Sequence, residues 1–294
     1  MNLLLTALTP IIWGTSYLIV TDVLPPDRPI LAGVMRALPA GLLLLLWYRK
    51  LPRGSWWLKA IVLGIVNIGA FFAFLFLTAY LLPGGIASVL TNSVPLVVMV
   101  LSRPLLGVRV YPMQVFTGLL ALAGVAALVL SPGVSLNPTG VVSGLIATLL
   151  AGTGMVLAKR WGTPEGVPQL AVTGWQLLFG GLFLSPLLLW EGLPSHLTLL
   201  NLAGYGYLTV MGALVAYGLW FRGIALLDAV SVSLLSVLNP LTASLLGLLV
   251  KGEQFTALQA VGAVVIVFAG VAAQIVGIRY RAREEKAKQT RAVA

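Results

Sequence analysis

Eight carboxylates, one histidine and no cysteine are all that 294 residues offer for acid–base, nucleophilic or metal chemistry. Asp22, Asp27, Glu165, Glu191, Asp228, Glu253, Glu284 and Glu285 fall at the ends of long uncharged stretches, in the connections between them or in the C-terminal tail. His196 has no titratable neighbour in sequence. No H-E-x-x-H, G-x-S-x-G or phosphate-loop pattern occurs. The expectation is a chain with no catalytic residues, no metal site and no cofactor, and without a proton relay through buried acids. The lack of cysteine also leaves the redox compartment unreadable.

What chemistry there is lies in polar and aromatic residues set inside apolar stretches. Asn67, Asn92, Ser93, Gln176 and Asn239 cannot face hydrocarbon unpaired, so each must turn to another helix or to a watered cavity. Arg36 lies about 10 Å in from the nearer end of its helix at 1.5 Å per residue. It could snorkel outward, cap neighbouring carbonyls or hold a substrate carboxylate. Trp47, Trp56, Trp57, Trp161 and Trp190 sit at the ends of apolar stretches, where headgroups favour amphipathic rings. Trp13, Trp175 and Trp220 fall deeper, and Tyr17 follows Trp13 by one helical turn on the same face. Such rings either pack between helices and against lipid or line a cavity and stack on a planar apolar substrate. Pro95 and Pro240 each remove a helical hydrogen bond and free the carbonyls of Thr91 and Ser236, as a packing kink or as a hinge beside a binding site.

The elements that must position these residues follow from composition. Hydrophobic residues make up 59% of the chain and charged residues 9%, against about 25% charged in a soluble domain. Such a chain cannot cover a water-facing surface, so its solvent is lipid, and at about 20 residues per span it has room for about ten spans. The intervals between charges outline them. Residues 1–21 and 29–48 give two. The uncharged run from Lys59 to Arg103 breaks at Leu82-Pro83-Gly84-Gly85, and that from Arg109 to Lys159 breaks between Ser131-Pro132-Gly133 and Asn137-Pro138, giving four more. Residues 166–190, 192–221, 229–250 and 254–278 complete ten. The N-terminus lacks the basic n-region of a signal peptide and reads as a retained first helix.

With the N-terminus inside, 15 of the 18 Lys and Arg residues fall on the cytoplasmic side, six of them after Ile278, and only Arg28 and Lys251 fall outside. That asymmetry predicts both termini in the cytoplasm. Basic residues placed by topology give no reason to expect nucleic-acid binding, and the tail reads as a solvated end facing anionic lipid.

Displaced by 145 positions, the chain matches itself. Ser88, Pro95, Gly107 and Gln114 fall on Ser233, Pro240, Gly252 and Gln259, and Phe72 and Phe76 fall on Tyr217 and Phe221. Gly14-Thr15 falls on Gly152-Thr153 at an offset of 138. Pro, Gly and Gln each impose a backbone or hydrogen-bonding role, so these coincidences indicate a repeat. Five spans per repeat is odd, which inverts one half relative to the other. The expected fold is an all-α integral membrane protein of ten transmembrane helices in two inverted-topology repeats of five, over 1–136 and 137–278, with a basic tail over 279–294.

Trp13-Gly14-Thr15-Ser16 in the first span, Arg36 in the second, and Pro240, Gly252-Glu253, Gln259, Gly262 and Gly270 in the second half resemble the drug/metabolite transporter superfamily of the EamA type. In the first half Val108 stands where the acidic residue after the glycine would be. The aromatic residues at mid-helix positions resemble those of bacterial aromatic amino-acid exporters. The resemblance implies a secondary transporter in the bacterial inner membrane, exporting small organic metabolites such as aromatic amino acids by alternating access. Its expected partners are a small-molecule substrate and membrane lipids. The expected substrate site comprises Trp13, Tyr17, Phe72, Tyr80, Asn92, Trp175, Tyr217 and Asn239, with Pro95 and Pro240 as hinges. The alternatives are an exporter of lipophilic drugs or cations, for which a buried acid would be expected and is absent, and a membrane structural subunit without transport, against which the inverted repeat argues.

Overall fold

The computed structural model describes residues 1–82, 84–129, 137–252 and 256–293. Among them the regular elements are all helical. Nine helices are long and apolar enough to cross a membrane: α1 (Asn2–Asp22), α2 (Pro29–Tyr48), α3 (Trp56–Ala79), α4 (Ile86–Leu106), α5 (Pro112–Val129), α6 (Pro138–Trp161), α7 (Gln169–Glu191), α8 (Leu199–Leu226) and α9 (Ala229–Lys251). The tenth, α10 (Ala257–Val293), is apolar up to Ala273 and continues without interruption into the basic tail. Pro83, Ser131-Pro132-Gly133 and Glu253, used above to place breaks and motifs, lie outside the described residues.

The residues that match between the halves prove to have matching local roles. Gly107 and Gly252 both end a helix in the left-handed conformation, at φ 67°, where a Cβ would be strained. Gln114 Oε1 accepts the backbone N–H of Tyr111, and Gln259 Oε1 accepts that of Thr256, at the start of α5 and α10. Each glutamine satisfies a donor that a helix start leaves orphaned. Elsewhere Asn137 caps α6, Thr198 and Asn201 form a reciprocal capping box at α8, and Asp228 caps α9.

Contacts between the halves repeat as well. A Cβ on Gly14 would lie 2.6 Å from Thr242 Cβ, and one on Gly152 would lie 2.5 Å from Val97 Cγ1; the partners are themselves 145 apart. Between α2 and α7, a Cβ on Gly41 would lie 2.4 Å from the backbone N of Leu178, and one on Gly181 would lie 2.8 Å from that of Leu38, pairs related by 140. Close helix approach through small residues is how helices associate in lipid, where no hydrophobic force drives them together. Ala37, Leu177, Leu184 and Ile68 fill the interior around this seam, while Leu46, Val100, Phe116 and Leu249 point out towards lipid.

Five spans are interrupted, four of them in matched pairs; the other is the seventh span, with a 3₁₀ turn over Ser185–Leu187 that α2 does not share. The third and eighth contain π-helical turns, Ile65–Gly69 and Leu208–Val215. In the fourth, the helix Gly84–Thr91 stops and a new one starts at Val94. In the ninth, a 3₁₀ turn over Leu235–Val237 precedes the helix Leu238–Lys251. Pro95 and Pro240 each sit in the first turn of the second segment, where a missing N–H costs nothing. They therefore start a helix after a break rather than bend a continuous one.

Candidate functional site

The four paired, interrupted spans surround a central cavity of about 210 Å³. The first half contributes Trp13 from α1, Arg36 from α2, Asn67, Phe72 and Leu75 from α3, and Thr91, Asn92 and Val94 from the fourth span. The second contributes Ala151 and Met155 from α6, Tyr217, Trp220 and Phe221 from α8, and Ser233, Ser236 and Asn239 from α9. Many of these walls are equivalent positions. Phe72 and Tyr217, Leu75 and Trp220, Thr91 and Ser236, and Val94 and Asn239 are each 145 apart, and Trp13 and Ala151 are 138 apart. The cavity thus lies where the two repeats meet face to face, the position of substrate sites in inverted-repeat transporters.

Equivalence of position does not mean equivalence of chemistry. At the four pairs related by 145 the second half carries the more polar or larger side chain, and at the fifth the first half carries Trp13 against Ala151. Trp13 lies 5.1 Å from Tyr217 and 5.3 Å from Trp220, centroid to centroid, with the planes tilted by 57° and 53°. Tyr217 in turn stacks on Phe221 at 5.9 Å and 20°. Tilted and offset rings at these separations are the favoured arrangements of aromatic pairs, so the cluster is a rigid aromatic wall.

Arg36 stands among these rings. Its Cζ is 5.8 Å from the centroid of Trp13, 5.4 Å from Phe72 and 5.6 Å from Tyr217. Nε and Nη2 donate to the Gly212 carbonyl at 3.1 and 2.9 Å. That carbonyl is available because of the π-helical turn. The N–H of Ala216, its partner in a regular helix, donates to Met211 and Ala213 instead. Trp13 Nε1 donates to the same oxygen at 3.1 Å. Of the three roles open to Arg36 from sequence, the structure displays the capping of a carbonyl, with the guanidinium turned inward and not snorkelling.

Asn92 binds back to its own helix, Nδ2 to the Ser88 carbonyl at 2.9 Å, and is among the residues that line the cavity. Asn67 Nδ2 donates to Gln176 Oε1 at 2.9 Å, the interhelical bond that was one of its two expected roles. Ser236 Oγ is buried at the cavity with no partner among the described residues.

The structure brings Trp13, Phe72, Asn92, Tyr217 and Asn239 together at the cavity, whereas Tyr17 and Trp175 lie elsewhere. Tyr17 is 57% exposed and lies under the Lys251 ammonium, 5.9 Å from ring centroid to Nζ, towards the far end of α1. One helical turn beyond Trp13 is enough to carry it out of the cavity. Trp175 is 1% exposed, but it donates from Nε1 to the Lys50 carbonyl at 2.8 Å and packs at 6.3 Å on Trp56. It anchors the end of the bundle that carries Arg49, Lys50 and Arg53. The side chain of Tyr80 lies outside the described residues. Trp220, whose ring the sequence left between packing and cavity lining, is in the wall, and Phe221, Ser233 and Ala151 join it without having been assigned there, although the repeat pointed at all three. Ser233 and Phe221 are partners of Ser88 and Phe76, and Ala151 sits opposite Trp13 by one residue from the Gly14–Gly152 match.

Ten helices, inverted halves and a cavity walled by matching faces of both define a membrane transporter rather than an enzyme. The chain belongs to the EamA-like transporter family, which matches residues 1–130 and again 138–273. It is 42% identical over 278 residues to the protein PecM of Dickeya dadantii (strain 3937), covering 94% of this chain and 93% of that one. It is 31% identical to the WAT1-related protein At3g02690, chloroplastic, of Arabidopsis thaliana, over 87% of this chain and 65% of that one. It is 27% identical to the uncharacterized inner membrane transporter YedA of Escherichia coli (strain K12), over 89% and 86%. A crystal structure with 21% identity superimposes at a TM-score of 0.76 over 94% of this chain and 98% of its own, a likeness of fold.

Proposed function

We propose that this transporter exports small organic metabolites with an aromatic ring, aromatic amino acids among them, by alternating access about the central cavity. The observation that carries the reading is the aromatic wall made by Trp13 and Phe72 of the first repeat with Tyr217 and Trp220 of the second, of which Phe72 and Tyr217 are equivalent positions. Ring faces favour a planar apolar guest. A volume of about 210 Å³ is below the roughly 300–1,000 Å³ of sites for drug-sized ligands, which favours a metabolite over a bulky drug. Among the described residues no carboxylate lines the cavity and a guanidinium does, which disfavours cationic substrates.

In this reading residues 1–136 and 137–278 rock against each other as two five-helix halves. The breaks before Pro95 and Pro240 act as hinges, since they already lack continuous helical hydrogen bonding. The end bearing Arg49, Lys50, Arg53, Lys159 and Arg160 faces the cytoplasm of a bacterial inner membrane, with both termini on that side and the tail against anionic lipid. The test is counterflow in proteoliposomes preloaded with tryptophan, phenylalanine, alanine or a quaternary ammonium dye, with and without a pH gradient. Exchange of the aromatic amino acids above the others is expected. Exchange of the dye alone would overturn the reading in favour of a cation exporter, and no exchange of any compound would overturn transport of this class.

A further inference from the structure

The second helix of each repeat reaches across to the π-helical turn of the other repeat. Arg36 on α2 binds the Gly212 carbonyl in Leu208–Val215, and Gln176 on α7 binds the Asn67 side chain in Ile65–Gly69. Gly212 and Asn67 are 145 apart, and Arg36 and Gln176 are 140 apart, the offsets that relate the surrounding contacts. These are the same tie made twice, once with a cation and once with a neutral amide.

We infer that Arg36 is a carboxylate subsite of the central cavity, held on the Gly212 carbonyl by one edge of its guanidinium and open to a substrate anion at the other, and that Gln176–Asn67 is its neutral counterpart. The inference rests on the central cavity being the transport site.

Hydrogen-bond capacity carries the argument. A carbonyl oxygen has two lone pairs, and Gly212 receives three donors: Trp13 Nε1, Arg36 Nε and Arg36 Nη2. Meanwhile Arg36 Nη1 has no hydrogen-bond partner among the described residues, and the ion pair found there, Lys251–Asp22, is elsewhere. A carboxylate bound end-on to Nη1 and Nη2 uses the edge of the guanidinium that Gly212 leaves free, because Nη2 carries two N–H bonds and only the one beside Nε points to that carbonyl. It gives Nη1 an acceptor in the strong two-pronged geometry without breaking the tie to Gly212. The three rings around Cζ hold the guanidinium plane in place, so the fork is set before the anion arrives.

Charge points the same way. A cation well inside a span without a counter-charge is costly, and a substrate carboxylate supplies one at the guanidinium. Gln176 offers no such change. It is buried and already pairs amide to amide with Asn67.

The test uses the detergent-purified full chain and thermal unfolding shifts titrated with three compounds sharing one ring system: indole-3-propionate, its amide, and tryptamine. The acid is expected to bind at least about tenfold tighter than the amide, the scale of one hydrogen-bonded charge, with tryptamine weakest. Arg36→Gln should erase the difference. Arg36→Lys, which keeps the charge and loses the fork, should retain only part of it and serves if the glutamine variant does not fold. Gln176→Leu cuts the matching tie and should leave the preference for the acid intact, which separates loss of charge from loss of packing. Equal binding of acid and amide to the unmodified protein, or a preference that survives Arg36→Gln, overturns the subsite while leaving an aromatic transporter standing. If the indoles do not bind but butyrate does so in an Arg36-dependent manner, the aromatic reading falls and the subsite stands. If neither class of acid binds, the subsite is overturned.

Discussion

Trp13 of the first repeat and Tyr217 of the second touch in the wall of the cavity at 5.1 Å, centroid to centroid, tilted by 57°, and no other pair brings the two repeats' rings closer among the aromatic contacts described. If tryptophan stacks on this pair, Trp13→Ala and Tyr217→Ala should each weaken its affinity by roughly threefold to tenfold, about 0.5–1.5 kcal/mol. Trp56→Ala and Trp57→Ala should hardly change it. Trp175→Ala should lower stability by about 3–5 kcal/mol, as for a large buried ring, without a matching loss of affinity in the folded fraction. Isothermal titration and thermal unfolding of the same samples make the comparison, and equal affinity losses at Trp175 and Trp13 would return the cavity rings to a packing role.

The seam between α2 and α7 makes a sharper statement about stability. Gly41→Ala and Gly181→Ala place a methyl against the backbone of the facing helix, which cannot swing aside as a side chain can. Each should destabilise the protein by about 1–3 kcal/mol or more through overpacking. Gly206→Ala, at a helical position where a Cβ meets nothing within 4 Å, should be neutral or slightly stabilising. Midpoints of thermal unfolding in detergent check the contrast.

Orientation can be read directly, because the chain has no cysteine of its own. A single cysteine at Ser55, in the connection between α2 and α3, should resist a membrane-impermeant thiol reagent in intact cells and react in inside-out vesicles. Labelling from outside would reverse the assignment of the basic end to the cytoplasm.

Coupling through a titrating acid is not expected. Asp228 accepts the Ser231 N–H at 2.7 Å as a helix cap, a role that Asn fills equally well. Asp228→Asn should therefore keep both substrate counterflow and any proton-driven uptake within about twofold of the unmodified rates. Loss of proton-driven uptake with counterflow preserved would identify Asp228 as a coupling group.

The sequence alone determined the number of spans, the repeat and its inversion, because those depend on strong, local signals. Charges are costly in lipid and, Arg36 apart, keep to the ends of helices, and Gly107, Gly252, Gln114 and Gln259 answer to backbone geometry and orphaned N–H groups within a few residues of themselves. It could not decide which way a ring points. In a helix that is apolar all round, the faces towards lipid and towards protein have the same hydrophobicity, so periodicity that would mark a buried side in water is silent here. Trp13 and Tyr17, one turn apart, and Trp175 and Trp220, both deep in their spans, look alike in sequence and part company only when α1, α7 and α8 are placed against their neighbours. The role of Arg36 was likewise decided by tertiary structure. The carbonyl it holds lies 176 residues away and is free only because α8 is wound as a π-helix at that point, a departure from the regular ladder that no residue type announces.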